Sequence, residues 1–160
     1  MGQEVSVSRL QPSDPAPSFT LAADDGSTVS SEQLAGQRYV LYFYPKDDTP
    51  GCTTQACGLR DSFGRVTATG VQLFGVSPDT VAKHVRFREK YGLPYRLLSD
   101  RSHELAEDFG VWIEKSFAGR SYFGNERSTF VIGPDAKIER VLAQVKPAEH
   151  VDQLMAALGR

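Results

Sequence analysis

The residues best suited to chemistry are the two cysteines of the sequence, Cys52 and Cys57, which lie five positions apart. They follow Thr49-Pro50, and threonine before proline is typical of the N-cap and first position of a helix. Cys52 is therefore expected in the exposed first turn of a helix, where free N–H groups and the helix dipole favour an anion by up to ~2 kcal/mol. For cysteine that anion is the nucleophilic thiolate. The pattern predicts a reactive Cys52 that needs a nearby cation, for which we expect an arginine elsewhere in the chain.

A disulfide between the two cysteines would distort that helix. On one regular helix their Cα atoms would be roughly 8 to 9 Å apart, from a rise of ~1.5 Å and a turn of ~100° per residue. A disulfide needs a Cα separation below about 7 Å. A Cys52–Cys57 bond would thus unwind the first turns, which suits a bond that forms and breaks during turnover better than a static one.

Two other roles for the cysteines stay open, as buried structural residues or as zinc ligands. Structural zinc needs four ligands, whereas His84, His103 and His150 are dispersed singly at no ligand spacing. We interpret each histidine as an ordinary surface or helix-end residue and expect no metal.

Composition restricts the class of protein. The 160 residues carry 18 Lys plus Arg against 20 Asp plus Glu, a formal net charge of −2, which argues against nucleic acid as a partner. No run reaches the ~18 apolar residues of a membrane span, and the N-terminus does not resemble a secretory signal. We expect a soluble, cytoplasmic protein with one domain over residues 1–160, of which 1–14 form a loosely ordered lead-in. In a reducing cytosol, paired cysteines indicate metal binding or redox chemistry rather than a structural bridge.

The elements that must position the cysteines alternate between strand and helix. The apolar run 39–44 lacks alternation, which predicts a strand covered on both faces. A polar, solvated loop follows, and then the helix of Cys52. The full set predicts an α/β domain with a mixed central sheet and helices on both faces. Its elements are strands at 19–21, 39–44, 71–76, 95–98, 128–132 and 138–145, helices at 50–63, 81–91, 102–109 and from 147 onward, and a loop from 110 through 124.

Residues 42–57, Tyr-Phe-Tyr-Pro-Lys-Asp-Asp-Thr-Pro-Gly-Cys-Thr-Thr-Gln-Ala-Cys, resemble the active-site segment of the peroxiredoxins. Pro45, Thr49 and Cys52 match the peroxiredoxin signature. A second cysteine five residues later is the mark of the peroxiredoxin Q group, also called bacterioferritin comigratory proteins. The similarity extends over roughly residues 15–158, with Gln55 departing from the glutamate that the family commonly carries. The resemblance implies a thioredoxin-like fold.

The same resemblance implies a role for each site residue. Cys52 would be the peroxidatic cysteine, which attacks the peroxide O–O bond and becomes a sulfenic acid, and Cys57 would resolve it as an intramolecular disulfide. Thr49 would hydrogen-bond the thiolate and the bound peroxide. Arg127 would be the required cation, and Pro45 would shield the pocket from water.

The implied function is a thiol-dependent peroxidase for hydrogen peroxide and organic hydroperoxides. A thioredoxin-like or glutaredoxin-like protein would reduce the disulfide, with no cofactor. Because the resolving cysteine is in the same chain, we expect a monomer. One alternative is a protein dithiol–disulfide oxidoreductase, although that chemistry typically uses Cys-x-x-Cys. Another is a non-catalytic redox-sensing or chaperone-like module, which would not need Thr49 and Arg127 together.

Overall fold

The apolar run at residues 39–43 forms an interior strand of the sheet. In the computed structural model, which describes residues 9–159, this strand is buried along its whole length. The elements in chain order are β1 (Thr20–Ala23), β2 (Thr28–Ser30), β3 (Tyr39–Phe43), α1 (Pro50–Asp61), α2 (Phe63–Thr67), β4 (Gln72–Ser77), α3 (Val81–Tyr91), β5 (Arg96–Ser99), α4 (Glu104–Phe109), β6 (Trp112–Phe117), β7 (Arg120–Asn125), β8 (Ser128–Ile132), β9 (Ile138–Leu142), a 3-10 turn (Pro147–Glu149) and α5 (His150–Leu158).

Seven strands form a mixed sheet in the order β2-β1-β5-β4-β3-β8-β9. Strand β3 is parallel to β4 and antiparallel to β8, and β4 is parallel to β5. Alternate side chains of β3 enter two different apolar clusters. One cluster contains Phe109 of α4, and the other contains Leu59 of α1, Phe87 of α3 and Leu154 of α5. Helices therefore cover both faces, which confirms the predicted α/β architecture and explains why β3 shows no polar alternation.

The predicted helix boundaries near the cysteines agree with the structure. Helix α1 begins at Pro50 with Thr49 at the N-cap, and it ends at Asp61, two residues before the predicted end. Gly92, at φ 62°, ends α3 in the left-handed conformation that favours glycine. No helix within residues 9–159 is long and apolar enough to cross a membrane.

Residues 110–124, predicted as a loop, contain instead the antiparallel hairpin β6–β7. Ala118 and Gly119 form its two-residue turn, both with positive φ, 53° and 78°, as tight hairpin turns require. Most side chains of both strands are exposed or half-buried, so the sequence has no apolar alternation to indicate them. The signal in the sequence that could have predicted this hairpin was an Ala-Gly pair with aromatic residues on both sides.

The chain ahead of β1 lies against the domain from residue 9 onward. The backbone N–H of Leu10 donates to the Phe109 carbonyl at 3.1 Å, and that of Ser13 donates to the Ile138 carbonyl at 2.8 Å. Of the expected lead-in 1–14, residues 1–8 lie outside the described residues.

Candidate active site

Cys52 is the third residue of α1, the helix that follows the carboxyl end of β3. The first hydrogen bond of the helix runs from the Thr53 N–H to the Thr49 carbonyl at 2.8 Å, so the N–H groups of Gly51 and Cys52 precede it. Such groups favour an anion. The expected exposure of Cys52 is wrong, because its side chain is 1% exposed and packs in the apolar cluster between α1 and the sheet. The sulfur is thus held away from bulk water at a helix start.

Arg127 provides the cation that the sequence required. Its Nη1 donates to Cys52 Sγ at 3.3 Å and to Gln55 Oε1 at 2.7 Å. The sheet brings these distant residues together, since antiparallel β8 pairs its first residue, Ser128, with Phe43 at the end of β3. The residue before β8 must therefore lie beside the loop and helix that follow β3.

The neighbouring carboxylate does not neutralise Arg127. Glu126 accepts hydrogen bonds from Arg9 and Ser128 at its Oε1 and from Gln144 at its Oε2. Burial acts to raise the pKa of Glu126, but these hydrogen bonds and the Arg9 charge outweigh it and hold the pKa below its usual value. Within residues 9–159 no carboxylate forms an ion pair with Arg127. Its positive charge is therefore available to the Cys52 sulfur.

A buried chain of hydrogen bonds continues from Arg127 into α5. Gln55 Nε2 lies 2.9 Å from His150 Nδ1, and His150 Nε2 lies 2.9 Å from Thr129 Oγ1. Because an arginine can only donate, Gln55 must present its oxygen to Arg127 and its NH2 to His150. His150 then accepts at Nδ1 and donates from Nε2 to Thr129.

His150 is therefore neutral. Burial, followed by the positive charge of Arg127, lowers its pKa from 6.5 to about 3. The interpretation of the histidines as surface or helix-end residues is wrong for His84, which is fully buried within α3. His150 does lie at a helix end, as the first residue of α5, but it is fully buried rather than at the surface. Sequence reasoning did not find the part played by Gln55 and His150, because nothing in the spacing of residues 55 and 150 shows that α1 and α5 pack together.

Thr49 and Pro45 lie on the loop between β3 and α1, and both are half-buried. Thr49 occupies the N-cap position, but its side chain does not cap the helix. Its Oγ1 instead donates to the Lys46 carbonyl at 2.9 Å, and no hydrogen bond joins it to Cys52. The hydroxyl oxygen therefore keeps its capacity to accept a hydrogen bond from a ligand.

This loop is anchored by a polar cluster rather than solvated throughout. Asp47 is 8% exposed, its N–H donates to Asp79 Oδ2 at 2.8 Å, and its Oδ2 lies 2.6 Å from His84 Nδ1. His84 Nε2 donates to the Leu98 carbonyl at 3.0 Å. The ligand atoms of Asp47, Asp79 and His84 lie within 4.8 Å of one another, a spacing that a cation could use, but they are already hydrogen-bonded to their neighbours. We interpret the cluster as support for the loop that precedes Cys52.

The hairpin that the sequence did not reveal contributes Lys115 to the surroundings of the site. Burial, then repulsion by Arg127, lowers the pKa of Lys115, while the charge of Cys52 acts in the opposite direction. Its side chain lies near Gly124 on the facing strand. The charges of Arg127 and Cys52 therefore both act on the pKa of Lys115.

Both cysteines are free thiols on one continuous helix, with Cys57 partly exposed. This is the arrangement for which helix geometry places the Cα atoms roughly 8 to 9 Å apart, too far for a disulfide. Residues 52–57 are therefore in the reduced, helical state.

Comparison with known proteins identifies relatives over most of the chain. Residues 12–141 match the AhpC/TSA family. Peroxiredoxin Bcp of Escherichia coli (strain K12) is 47% identical over 146 residues, covering 91% of this chain and 94% of that protein. Peroxiredoxin Bcp of Bacillus subtilis (strain 168) is 45% identical over 143 residues, covering 89% and 91%.

Two solved structures have the same fold. Peroxiredoxin Q of Xanthomonas campestris superposes with a TM-score of 0.84 at 34% identity, covering 94% of this chain and 95% of that one. A cysteine-to-serine mutant of PrxQ from Xylella fastidiosa gives a TM-score of 0.88 at 31% identity, covering 95% and 97%.

Proposed function

Since the chain belongs to the AhpC/TSA family, within its Bcp and peroxiredoxin Q group, and is a thiol-dependent peroxidase of thioredoxin-like fold, we propose that Cys52 is the residue that attacks peroxide. The observation that supports this most directly is the 3.3 Å hydrogen bond from the unneutralised Arg127 to Cys52 Sγ. A helix start and a free guanidinium both favour negative charge at this position, and the thiolate is the form of cysteine that acts as a nucleophile.

In the first step the Cys52 thiolate attacks one peroxide oxygen and the O–O bond breaks. The sulfur becomes a sulfenic acid, and the other oxygen leaves as water or an alcohol once it is protonated. Arg127 presents several N–H donors in a fixed plane, so it can hold the thiolate and also stabilise negative charge on the leaving oxygen.

Thr49 and Pro45 would shape the peroxide pocket. The Thr49 hydroxyl already donates its proton to the Lys46 carbonyl, so its oxygen would accept a hydrogen bond from the O–H of a bound peroxide. Pro45, half-buried at the end of β3, would restrict the access of water to the sulfur.

Cys57 would resolve the sulfenic acid. Its thiolate attacks the Cys52 sulfur, hydroxide leaves, and the disulfide forms after the first turns of α1 unwind. A thioredoxin-like or glutaredoxin-like dithiol then supplies two electrons through a mixed disulfide. Because both cysteines are in one chain, the cycle needs no second subunit, and we propose a monomer that works in the cytoplasm, where such donors are reduced.

The substrates proposed are hydrogen peroxide and alkyl hydroperoxides. A structural study of the Xanthomonas campestris bacterioferritin comigratory protein describes its alkyl peroxide reduction activity, and that chain is 34% identical to this one. Because both chains belong to the Bcp and peroxiredoxin Q group, we expect this chain to reduce the same class of peroxides.

The test is peroxide consumption driven by thioredoxin and its reductase, with the native chain, Cys52→Ser and Cys57→Ser. We expect Cys52→Ser to be inactive with every reductant. Cys57→Ser should lose turnover driven by thioredoxin but still form a sulfenic acid, detected by a dimedone-type probe and mass spectrometry. Full peroxidase activity in Cys52→Ser would refute the assignment.

A further inference from the structure

The hydrogen-bond chain from Cys52 to α5 has a consequence for both steps of the reaction. We propose that His150 is a positioning residue which, through Gln55, fixes Arg127 at Cys52 and holds α1 helical until peroxide has reacted. The proposal rests on the functions proposed above for Cys52, Cys57 and Arg127.

Gln55 can orient Arg127 only if its own amide is oriented. The Gln55 side chain is 1% exposed, so each amide atom needs a partner within the protein. The two amide atoms could exchange places, but the NH2 group would then face the Arg127 donors and the bond to the guanidinium would be lost. The His150 Nδ1 acceptor at 2.9 Å determines which way the amide points. His150 therefore fixes the atom that holds Arg127 at 2.7 Å.

His150 is itself held in place from three other elements. Thr129 of β8 accepts from its Nε2, Gln55 of α1 donates to its Nδ1, and the Tyr42 ring of β3 packs edge to face against the imidazole at 5.6 Å. The positive charge of Arg127 acts on it as well and, like burial, lowers its pKa. Burial and this charge keep the ring neutral, so Nδ1 can accept a hydrogen bond at physiological pH.

The same contact opposes unwinding of the helix. Gln55 lies between the two cysteines, so a turn that opens to join Cys52 to Cys57 must move Gln55. That movement breaks the Gln55 bonds to Arg127 and to His150, and both bonded atoms of Gln55 are buried. The contact that prepares Cys52 for peroxide is therefore one that disulfide formation must break.

Removing the Nδ1 acceptor of His150 should therefore change two rates, those of sulfenic acid formation and of disulfide formation, in opposite directions. In His150→Ala, sulfenic acid formation, measured by rapid quench in a Cys57→Ser background, should slow roughly tenfold because Arg127 is less well positioned. Disulfide formation after a single turnover, measured with both cysteines present, should become several-fold faster. His150→Asn offers an amide oxygen in the region of Nδ1 and should bring both rates most of the way back to their native values.

The matched control is His103→Asn, because His103 is a partly exposed histidine at the start of α4 that stacks on Trp112. It should leave both rates unchanged. If His150→Ala does not fold, Gln55→Leu removes the same link from the α1 side and should show the same opposite pair of changes. The proposal is overturned if both rates fall together or if neither changes. Absence of sulfenic acid in Cys57→Ser with His150 intact would instead refute the role of Cys52.

Discussion

At the scale of single residues, the adjacent Glu126 and Arg127 have different roles, the first structural and the second, as proposed, chemical. Glu126 is fully engaged with Arg9, Ser128 and Gln144, and it ties the segment before β1 to the start of β8. Arg127 forms no ion pair with it and turns to Cys52 and Gln55 instead. A carboxylate paired with Arg127 would neutralise the charge that the proposed Cys52 thiolate needs, so the engagement of Glu126 elsewhere leaves Arg127 free for that role.

The guanidinium also requires space, which Gly51 provides. A Cβ at this position would lie 3.2 Å from Arg127 Nη2 and 3.5 Å from Pro147 Cγ, so Gly51→Ala must displace the guanidinium by a few tenths of an ångström. We expect the second-order rate constant for peroxide to fall roughly three- to tenfold, because small misplacements of a catalytic group are costly. The free energy of unfolding should change little, since alanine is the better helix former.

Gly64→Ala is the control for this substitution, because a Cβ on Gly64 of α2 meets no atom within 4 Å. It should keep the peroxide rate and gain up to ~1 kcal/mol of stability. Stopped-flow kinetics and urea unfolding measure the two quantities. A Gly51→Ala variant as fast as the native chain would show that Arg127 tolerates the displacement.

Cys52, Arg127 and His150 differ in how far the sequence could identify their roles. Thr49-Pro50 placed Cys52 in the first turn of α1 from local helix chemistry alone, although not its burial, which depends on the packing of that turn. Arg127 was found only through the family resemblance, since no local pattern separates it from other arginines. His150 was missed because its role depends on the packing of α5 against α1.

At the scale of elements, the proposed cycle requires α1 to be helical in the reduced state and open in the disulfide form. In the reduced state it is continuous from Pro50 to Asp61. We expect the disulfide form to exchange the backbone amides of residues 52–57 much faster, because the bond cannot form on a regular helix. Hydrogen exchange with mass spectrometry measures this, and α3 (Val81–Tyr91) should keep its protection in both forms. Unchanged protection at 52–57 in a confirmed disulfide form would refute the unwinding argument.

The elements also show what sequence pattern can detect. Strands β3 and β4 and helices α1 and α3 were predicted because apolar runs, a proline start and a glycine end are local signals. The β6–β7 hairpin was not predicted, because its strands bury little side-chain surface and show no alternation. Its contribution to the site, Lys115, was missed with it.

At the scale of the whole molecule, the site depends on three parts of the chain that the sheet and α5 hold in register. The end of β3 places the Cys52 helix, the start of antiparallel β8 places Arg127, and the start of α5 places His150. A Cβ on Gly58 of α1 would meet Val151 Cγ2 at 3.4 Å, so α1 and α5 already approach closely beside this network. Global stability and the electrostatics of the site are therefore coupled through one buried histidine.

That coupling predicts how stability depends on pH. His150 has a pKa of about 3 in the folded chain and an ordinary value of 6.5. Above pH 6.5 it is neutral in both the folded and the unfolded states and adds no pH dependence. As the pH falls from 6.5 toward 3, the unfolded chain binds a proton at this histidine while the folded chain does not. The free energy of unfolding must therefore decrease as the pH is lowered across this interval.

One pKa unit corresponds to ~1.36 kcal/mol, so His150 alone can remove up to about 5 kcal/mol of stability by pH 3. Urea unfolding at a series of pH values measures the slope. His150→Asn, which cannot bind that proton, should show a shallower fall between pH 6.5 and 3 even if it is less stable at neutral pH. The Gly64→Ala control should keep the native slope, because it adds and removes no titratable group. Parallel curves for His150→Asn and the native chain would mean that His150 is not held neutral by the fold, and the Gln55–Arg127 geometry would then need another explanation.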